Sequence, residues 1–372
     1  MINNFPFIYI VIYLFILFLH LFSNFLNNER KTKDILLLLT WIFLAIFSGT
    51  RVCVGGDWLG YSDLFRSQNN IKFEIFSVNP TETLFRLIAF ITNYLGLSFE
   101  FFNLIISSLT CAFLFLGIRK ISKNYSFLLT LLYFSIMYFN HQFGLIRTGL
   151  AVSIFIYSLS FLDIRIKKYF ALGMISYNIH NSSAFPTLLT FLLNRKVNRY
   201  IALSFSFLML LFVFRSDLLL KILLFILDLF NSKYLNYSNT AEIYLKKSAT
   251  TNTTYLTIAL FFFYLYSNVK INPLYVNLTA FYILINLAFP YQALLSRLNA
   301  FLLIPVWIFI IETMEKYKFT TKVVINILLI IYSFTALSLI LFNKDLALFK
   351  YYQTWLFDFN RTFDQCSTEY QF

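Results

Sequence analysis

The sequence predicts an all-α, polytopic integral membrane protein of about twelve transmembrane helices, and three observations carry that prediction. First, 59% of the 372 residues are hydrophobic, 21% are aromatic and only 13% are charged, with a mean hydropathy of +0.71. No single soluble core hides that much apolar surface. Second, apolar runs recur from end to end, and a helix needs roughly 20 residues to cross about 30 Å of hydrocarbon. Third, three basic residues gather in each of five short clusters, at 27–33, 119–123, 165–168, 194–199 and 315–322. Cytoplasmic loops collect Lys and Arg. Placing all five inside requires an even number of crossings between neighbours, which puts both termini outside.

The elements follow in order. Residues 5–25 lack a basic flank before them and a small-residue cleavage site after them, so they read as a retained helix and not a signal peptide. Further spans are expected at 34–48, 98–118, 125–140, 147–163, 169–179, 183–193, 200–214, 255–269, 274–290, 297–313 and 323–342. Two apolar pieces carry charge: 83–95 holds Arg86, and 216–232 holds Lys221 and Asp228. They are expected as interfacial helices on the outer face. Between the basic flanks around 170–193 there is room for two half-helices of about 11 residues, each rising only about 16 Å. A short or re-entrant hairpin is expected there, its tip "IHNSSAFP" (179–186) lying at membrane depth where protein or a wet cavity surrounds it. With no soluble domain, repeat or heptad array, residues 1–372 read as a single membrane-embedded domain with outer loops at 49–97 and 215–254. Cys53, Cys111 and Cys366 are too scattered for a metal or disulfide framework, a Cys53–Cys366 bridge being the disfavoured alternative. The net charge of +13 follows from topology and is no sign of nucleic acid.

The stretch "SGTRVCVGGDWLGY" (48–61) concentrates four of the nine glycines with an Arg and an Asp between two apolar segments. It opens the first outer loop, which also holds Asp63, Arg66 and Glu82. Outer loops are ordinarily poor in Arg, yet Arg51, Arg66, Arg86, Arg147 and Arg297 all fall at or near outer helix ends. A guanidinium fork suits bidentate contact with phosphate or carboxylate. Snorkelling to headgroups explains Arg66 and Arg86 equally well. Arg147 and Arg297 each open an apolar helix, where free N–H groups and the helix dipole add anion affinity. Asp57 either takes part in chemistry, pairs with Arg51 or caps a turn.

Among the histidines, His20 lies in an apolar run and reads as packed or at the lipid interface, and His141 sits at an outer helix end. His180, flanked by Asn178, Asn181, Ser182 and Ser183 at the hairpin tip, is the candidate for proton transfer near neutrality. No DxD, GxGxxG, P-loop, HExxH, CxxC or GxSxG motif occurs. A transfer reaction then has to use an already activated, membrane-borne donor, with no metal and no cofactor.

Taken together, these residues resemble the EpsG-type, or Wzy-like, polysaccharide polymerases of bacterial inner membranes. The resemblance rests on "SGTRVCVGGDWLGYSDLF" (48–65), similar to that family's Arg-x-x-x-Gly-x-Asp-x-x-x-Tyr outer loop, with Glu82 in "PTETLFRL" near the next helix. It continues in "FGLIRTGLAVSIFIYSL" (143–159), in "NIHNSSAF" (178–185), similar to a His-x-Ser hairpin, and in "SRLNAFLLIP" (296–305). It implies a glycosyltransferase on the outer face that joins oligosaccharide repeat units carried on undecaprenyl diphosphate, with a chain-length regulator and a flippase as possible partners besides membrane lipid. Under that reading Arg147 and Arg297 bind the two diphosphates with Arg51 assisting, Glu82 and Tyr61 help hold substrate, and His180 or Asp57 is the catalytic base. Another lipid-linked glycan transferase or ligase stays open, as does a lipid-linked oligosaccharide flippase. An O-acyltransferase or an assembly subunit fits less well.

Overall fold

The computed structural model describes residues 7–26, 29–67, 82–194, 272–288, 293–342 and Thr354. The spans expected at 200–214 and 255–269, the piece at 216–232 and the loop at 215–254 lie outside the described residues. Among the described residues the chain is helical, with one isolated bridge between Arg51 and Thr354. The helices are α1 Phe7–Phe25, α2 Arg30–Gly49, α3 Trp58–Ser67, α4 Thr83–Tyr94, α5 Phe99–Ile121, α6 Ser126–Tyr133, α7 Ile146–Leu159, α8 Ile166–Ile179, α9 Ala184–Leu193, α10 Pro273–Ala288, α11 Ala293–Lys316 and α12 Phe319–Phe342. Among the described residues, four stretches are long and apolar enough to cross a membrane: Arg30–Gly49, Phe99–Ile121, Leu298–Lys316 and Phe319–Phe342. Shorter apolar helices occupy Phe7–Ser23 and Ile146–Leu159. The chain divides into two compact units, one of Met1–Thr187 with Thr320–Phe372 and one of Leu188–Phe319.

In the first unit the helices pack through small residues and internal hydrogen bonds. A Cβ on Gly49 would fall 2.7 Å from the Leu104 Cα, so α2 and α5 touch at close range there. Buried hydroxyls answer to their own helices, as Thr40 to the Leu36 carbonyl, Thr110 to Ile106 and Thr130 to Ser126. Such back-bonding satisfies a polar group where no water reaches it. Tyr13 and Ser333 share a hydrogen bond of 2.9 Å, and His20 Nε2 lies 3.1 Å from Asn326 Oδ1. His20 is thus a packed residue with a helix-to-helix partner.

Three features bear on the expected arrangement. The run at 125–140 is interrupted, since α6 passes into a π-helix at Phe134–Gly144 before α7. The stretch expected as the first outer loop carries two helices, α3 and α4, of which α4 coincides with the piece expected at 83–95. Cys53 is disulfide-bonded, whereas Cys111 is a free, buried thiol, so the reading of unpaired cysteines is corrected at Cys53; Cys366 lies outside the described residues.

The hairpin expected at 170–193 is present as α8, a 3-10 turn at Asn181–Ser183, and α9. Gly173 permits the two arms to close, because a Cβ there would sit 2.6 Å from the Thr187 methyl. The Tyr169 hydroxyl donates to the Thr187 carbonyl at 2.6 Å, and Ser176 donates to the Ala151 carbonyl at 2.9 Å, fixing α8 on α7. In the second unit, Asn286 and Asn299 exchange amide hydrogen bonds of 3.1 and 2.8 Å between α10 and α11, and Asn277 donates to the Leu193 carbonyl at 2.7 Å.

Candidate active site

The glycine-rich stretch is the starting point. Arg51 follows α2 and is buried, with 1% of its surface exposed. Its guanidinium donates to the carbonyls of Val54 at 3.1 Å, Ser48 at 2.5 Å and Phe143 at 3.5 Å, and it faces the rings of Trp58 and Phe143. Gly55 has a φ of +110°, and a Cβ there would fall 1.9 Å from the Phe143 carbonyl oxygen. Only glycine fits a left-handed turn pressed on a backbone in this way. Arg51 and Gly55 therefore pin the loop to the end of the π-helix, and the turn they shape launches α3.

Tyr61, on the buried side of α3, lies under Arg147, which opens α7. Arg147 Nε points at the Tyr61 hydroxyl at 3.5 Å, and the guanidinium carbon lies 5.4 Å from the Tyr61 ring centre and 5.9 Å from that of Phe85. Nη1 of Arg147 forms an ion pair with Glu82 Oε2. The other oxygen of Glu82 is 2.6 Å from His180 Nδ1, at the C-terminal end of α8. One carboxylate thus bridges a guanidinium and an imidazole drawn from α7 and α8. Glu82 itself precedes α4 with a φ of +68°. A non-glycine residue in that region is strained and persists where its surroundings hold it.

The electrostatics match the geometry. Burial pushes the Glu82 carboxyl up, but the His180 hydrogen bond and the Arg147 charge outweigh it and hold the group below its ordinary range. Burial raises the Tyr61 hydroxyl in spite of Arg147, so Tyr61 is a neutral phenol at pH 7. With Nδ1 turned to Glu82, His180 keeps Nε2 for other work. That atom is enclosed and has no hydrogen-bond partner among the described residues. Arg147 retains 33% side-chain exposure, and its Nη2 has no partner among the described residues.

Of the residues expected in a site, the fold brings together Tyr61, Glu82, Arg147 and His180. Asp57 lies on the exposed turn before α3, its carbonyl accepting the Tyr61 N–H at 3.0 Å and its charge acting on the Tyr61 hydroxyl, but its side chain makes no hydrogen bond to Glu82, Arg147 or His180 among the described residues. Arg51 is adjacent in the chain but spends its donors on the loop. Arg297 falls near the start of α11 in the second unit, and its side chain lies outside the described residues. Arg66 is exposed at the end of α3, Arg86 is half-buried on α4, and His141 is buried in the π-helix. Phe85, the second ring under Arg147, carries no sequence signal beyond its place three residues after Glu82. Among the described residues no cluster of His, Cys, Asp and Glu is built to hold a metal ion.

The sequence profile of the EpsG family matches residues 34–354 and so covers every member of the cluster. No curated protein and no solved structure matches the chain.

Proposed function

Since the chain belongs to the EpsG family, whose members are Wzy-like polymerases, we propose that it joins lipid-diphosphate-linked oligosaccharide repeat units at the outer face of the bacterial inner membrane, with the Glu82–His180–Arg147 cluster as its working centre. The bridging carboxylate carries this reading. It binds His180 through Nδ1, which fixes the tautomer and leaves Nε2 as the base, and it holds Arg147 with a donor to spare.

The step balances without a metal. An acceptor sugar hydroxyl gives its proton to His180 Nε2, and its oxygen bonds to the anomeric carbon of the donor glycan. The bond from that carbon to the diphosphate oxygen breaks, and its electron pair leaves with the lipid diphosphate. Arg147 meets the charge that develops there, and Glu82 offsets the imidazolium formed on His180. Tyr61 and Phe85 hold the guanidinium over their rings, and Arg297 is the candidate for the second diphosphate. Arg51 serves by keeping the loop under Tyr61 in place, and Asp57, exposed and without a hydrogen bond to Glu82, Arg147 or His180 among the described residues, gives way to His180 as the base. The enclosure of Nε2 keeps bulk water from competing as acceptor, so the acceptor enters as the site opens locally. The carrier we propose is undecaprenyl diphosphate, with membrane lipid around the bundle and a flippase and chain-length regulator acting before and beside it.

The outer location is supported by Cys53. Disulfides form and persist outside the reducing cytoplasm, and Cys53 lies in the loop between Arg51 and Gly55. The test is the profile of lipid-linked and surface glycans in a strain lacking the gene, rescued by wild type or by Arg147→Ala. Single repeat units should accumulate in the deletion strain, with ladders restored only by the wild type. Ladders unchanged by deletion would overturn the proposal. Single units that accumulate on the inner side would mark a flippase, and full-length polymer never passed to its final acceptor would mark a ligase.

A further inference from the structure

The turn that follows His180 gathers several enclosed polar atoms without partners in a chain where many buried hydroxyls bond back along their own helices. Asn181 Oδ1, Ser182 Oγ and Ser183 Oγ are enclosed and have no hydrogen-bond partner among the described residues, as is true of His180 Nε2 beside them. Ser183 is 0% exposed and His180 8%. The cause is positional. Thr187 donates to the Ser183 carbonyl in the usual helical manner at 2.7 Å, but Ser182 and Ser183 precede the first turn of α9. The extended backbone at His180 breaks the α8 winding, so the carbonyls of Asn178 and Ile179, four residues earlier, do not receive these hydroxyls. Their backbone is already committed, with the Ser183 N–H on the His180 carbonyl at 3.1 Å.

Four neighbouring polar atoms left without partners in a buried site call for a ligand or ordered water, because each costs stability until it is satisfied. Their chemistry narrows the ligand. Two serine hydroxyls donate or accept, while the amide oxygen and the imidazole nitrogen opposite Glu82 accept. Nothing in the set is cationic, so phosphate is a poor match. A sugar ring with adjacent hydroxyls offers the complementary mixture of donors and acceptors.

Resting on the polymerase reading above, we propose that the Asn181–Ser183 turn is the subsite that binds the hydroxyl groups of the acceptor sugar, next to the hydroxyl that His180 deprotonates. Ser182 and Ser183 are then specificity residues, and ordered water occupies the turn between turnovers. A sugar lacking the hydroxyl they read would bind poorly, since a site built to hydrogen-bond a hydroxyl discriminates strongly against its absence.

The experiment uses the full-length protein in nanodiscs and lipid-linked repeat units extracted from the deletion strain. Ser182→Ala and Ser183→Ala should each raise the KM for the repeat unit about two- to tenfold, the range of a single neutral hydrogen bond, with kcat within about twofold. Ser182→Thr, which keeps the hydroxyl, should restore the wild-type KM. In ligand-free protein neither alanine variant should lower the melting temperature, because each removes a hydroxyl that has no protein partner. Unchanged KM in both alanine variants, or a melting temperature lowered in both, would overturn the subsite. The polymerase reading fails separately, if His180→Ala converts repeat units at the wild-type rate.

Discussion

Glu82→Gln is the sharpest perturbation the cluster offers, because it keeps the shape of the side chain and removes the charge that two partners share. Each carboxylate oxygen makes one charge-assisted hydrogen bond, to His180 Nδ1 at 2.6 Å and to the Arg147 guanidinium. Such bonds are worth about 1.5–3 kcal/mol each. A glutamine recovers part of both, and the 14% exposure of the Glu82 side chain lets solvent soften the loss only slightly. A net destabilisation of about 2–4 kcal/mol follows. The effect on transfer is larger. The amide nitrogen of the introduced glutamine would donate to Nδ1, driving the imidazole proton onto Nε2 and removing the lone pair the base needs. General base catalysis contributes about 10²- to 10⁴-fold, so the rate should fall at least about a hundredfold. Thermal melting of purified protein and conversion of lipid-linked repeat units separate the two effects. Because the pair acts as a unit, Glu82→Gln combined with His180→Ala should be little worse than His180→Ala alone. A Glu82→Gln variant that keeps more than a third of the wild-type rate, or two losses that multiply in the double variant, would refute the reasoning.

Gly55→Ala places a Cβ 1.9 Å from the Phe143 carbonyl at a φ of +110°, and melting should show a loss of about 3 kcal/mol or more. Gly60→Ala, with nothing within 4 Å, should stay within about 0.5 kcal/mol of wild type. Arg51→Lys cannot reach the three carbonyls with one ammonium, so yield and melting temperature should fall while the rate per folded molecule stays near wild type. Arg147→Lys should do the reverse, and opposite results would exchange their roles. The Glu82 carboxyl is held below its ordinary range in the folded protein, so its contribution is fully present above that range and is lost as pH falls through the lowered value. Acid melting curves should show this loss in wild type and not in Glu82→Gln. An impermeant maleimide applied to spheroplasts should label Cys53 only after an impermeant reductant, and labelling only after the cells are permeabilised would place the loop inside.

The parts of the fold that hydropathy and charge dictate were legible. Helices α1, α2, α5, α7, α10, α11 and α12 lie on the predicted apolar runs, and the basic flanks of 170–193 alone forced a hairpin of two short arms, as α8 and α9 are. The π-helix at 134–144 was not legible, since its first residues, FSIMYF, continue the apolar run of α6 and nothing in their period marks a change of winding. The pairing of Cys53 was hidden because cysteines far apart in sequence carry no signal of proximity. In the site, residue type and position marked Tyr61, Glu82, Arg147 and His180 singly, but not that one carboxylate joins two of them. Arg51 and Arg147 look alike in sequence, each close to a glycine at a helix end. Only packing separates them, one guanidinium spent on carbonyls and the other held by a carboxylate with a donor left free.

That contrast explains how the glycine-rich stretch at 48–61 can be both flexible in composition and fixed in place. Glycine at 49 and 55 admits close contact with α5 and with the π-helix, and Arg51 locks the contact from within. The loop then carries Tyr61 beneath Arg147 on α3, and Glu82 reaches across from the start of α4 in a left-handed conformation that few residues adopt. Neither the strain at Glu82 nor its burial would persist alone. Each is offset by the two partners it faces, so the charge arrangement proposed to favour leaving-group departure also holds the helices that carry it. A variant that relieves the strain without replacing the charge should therefore gain nothing: Glu82→Gly, free to adopt the same φ, is expected to be both less stable and inactive. If it matched wild type in stability, the carboxylate would have no part in holding α4, α7 and α8 together, and the cluster would be a consequence of the fold and not one of its causes.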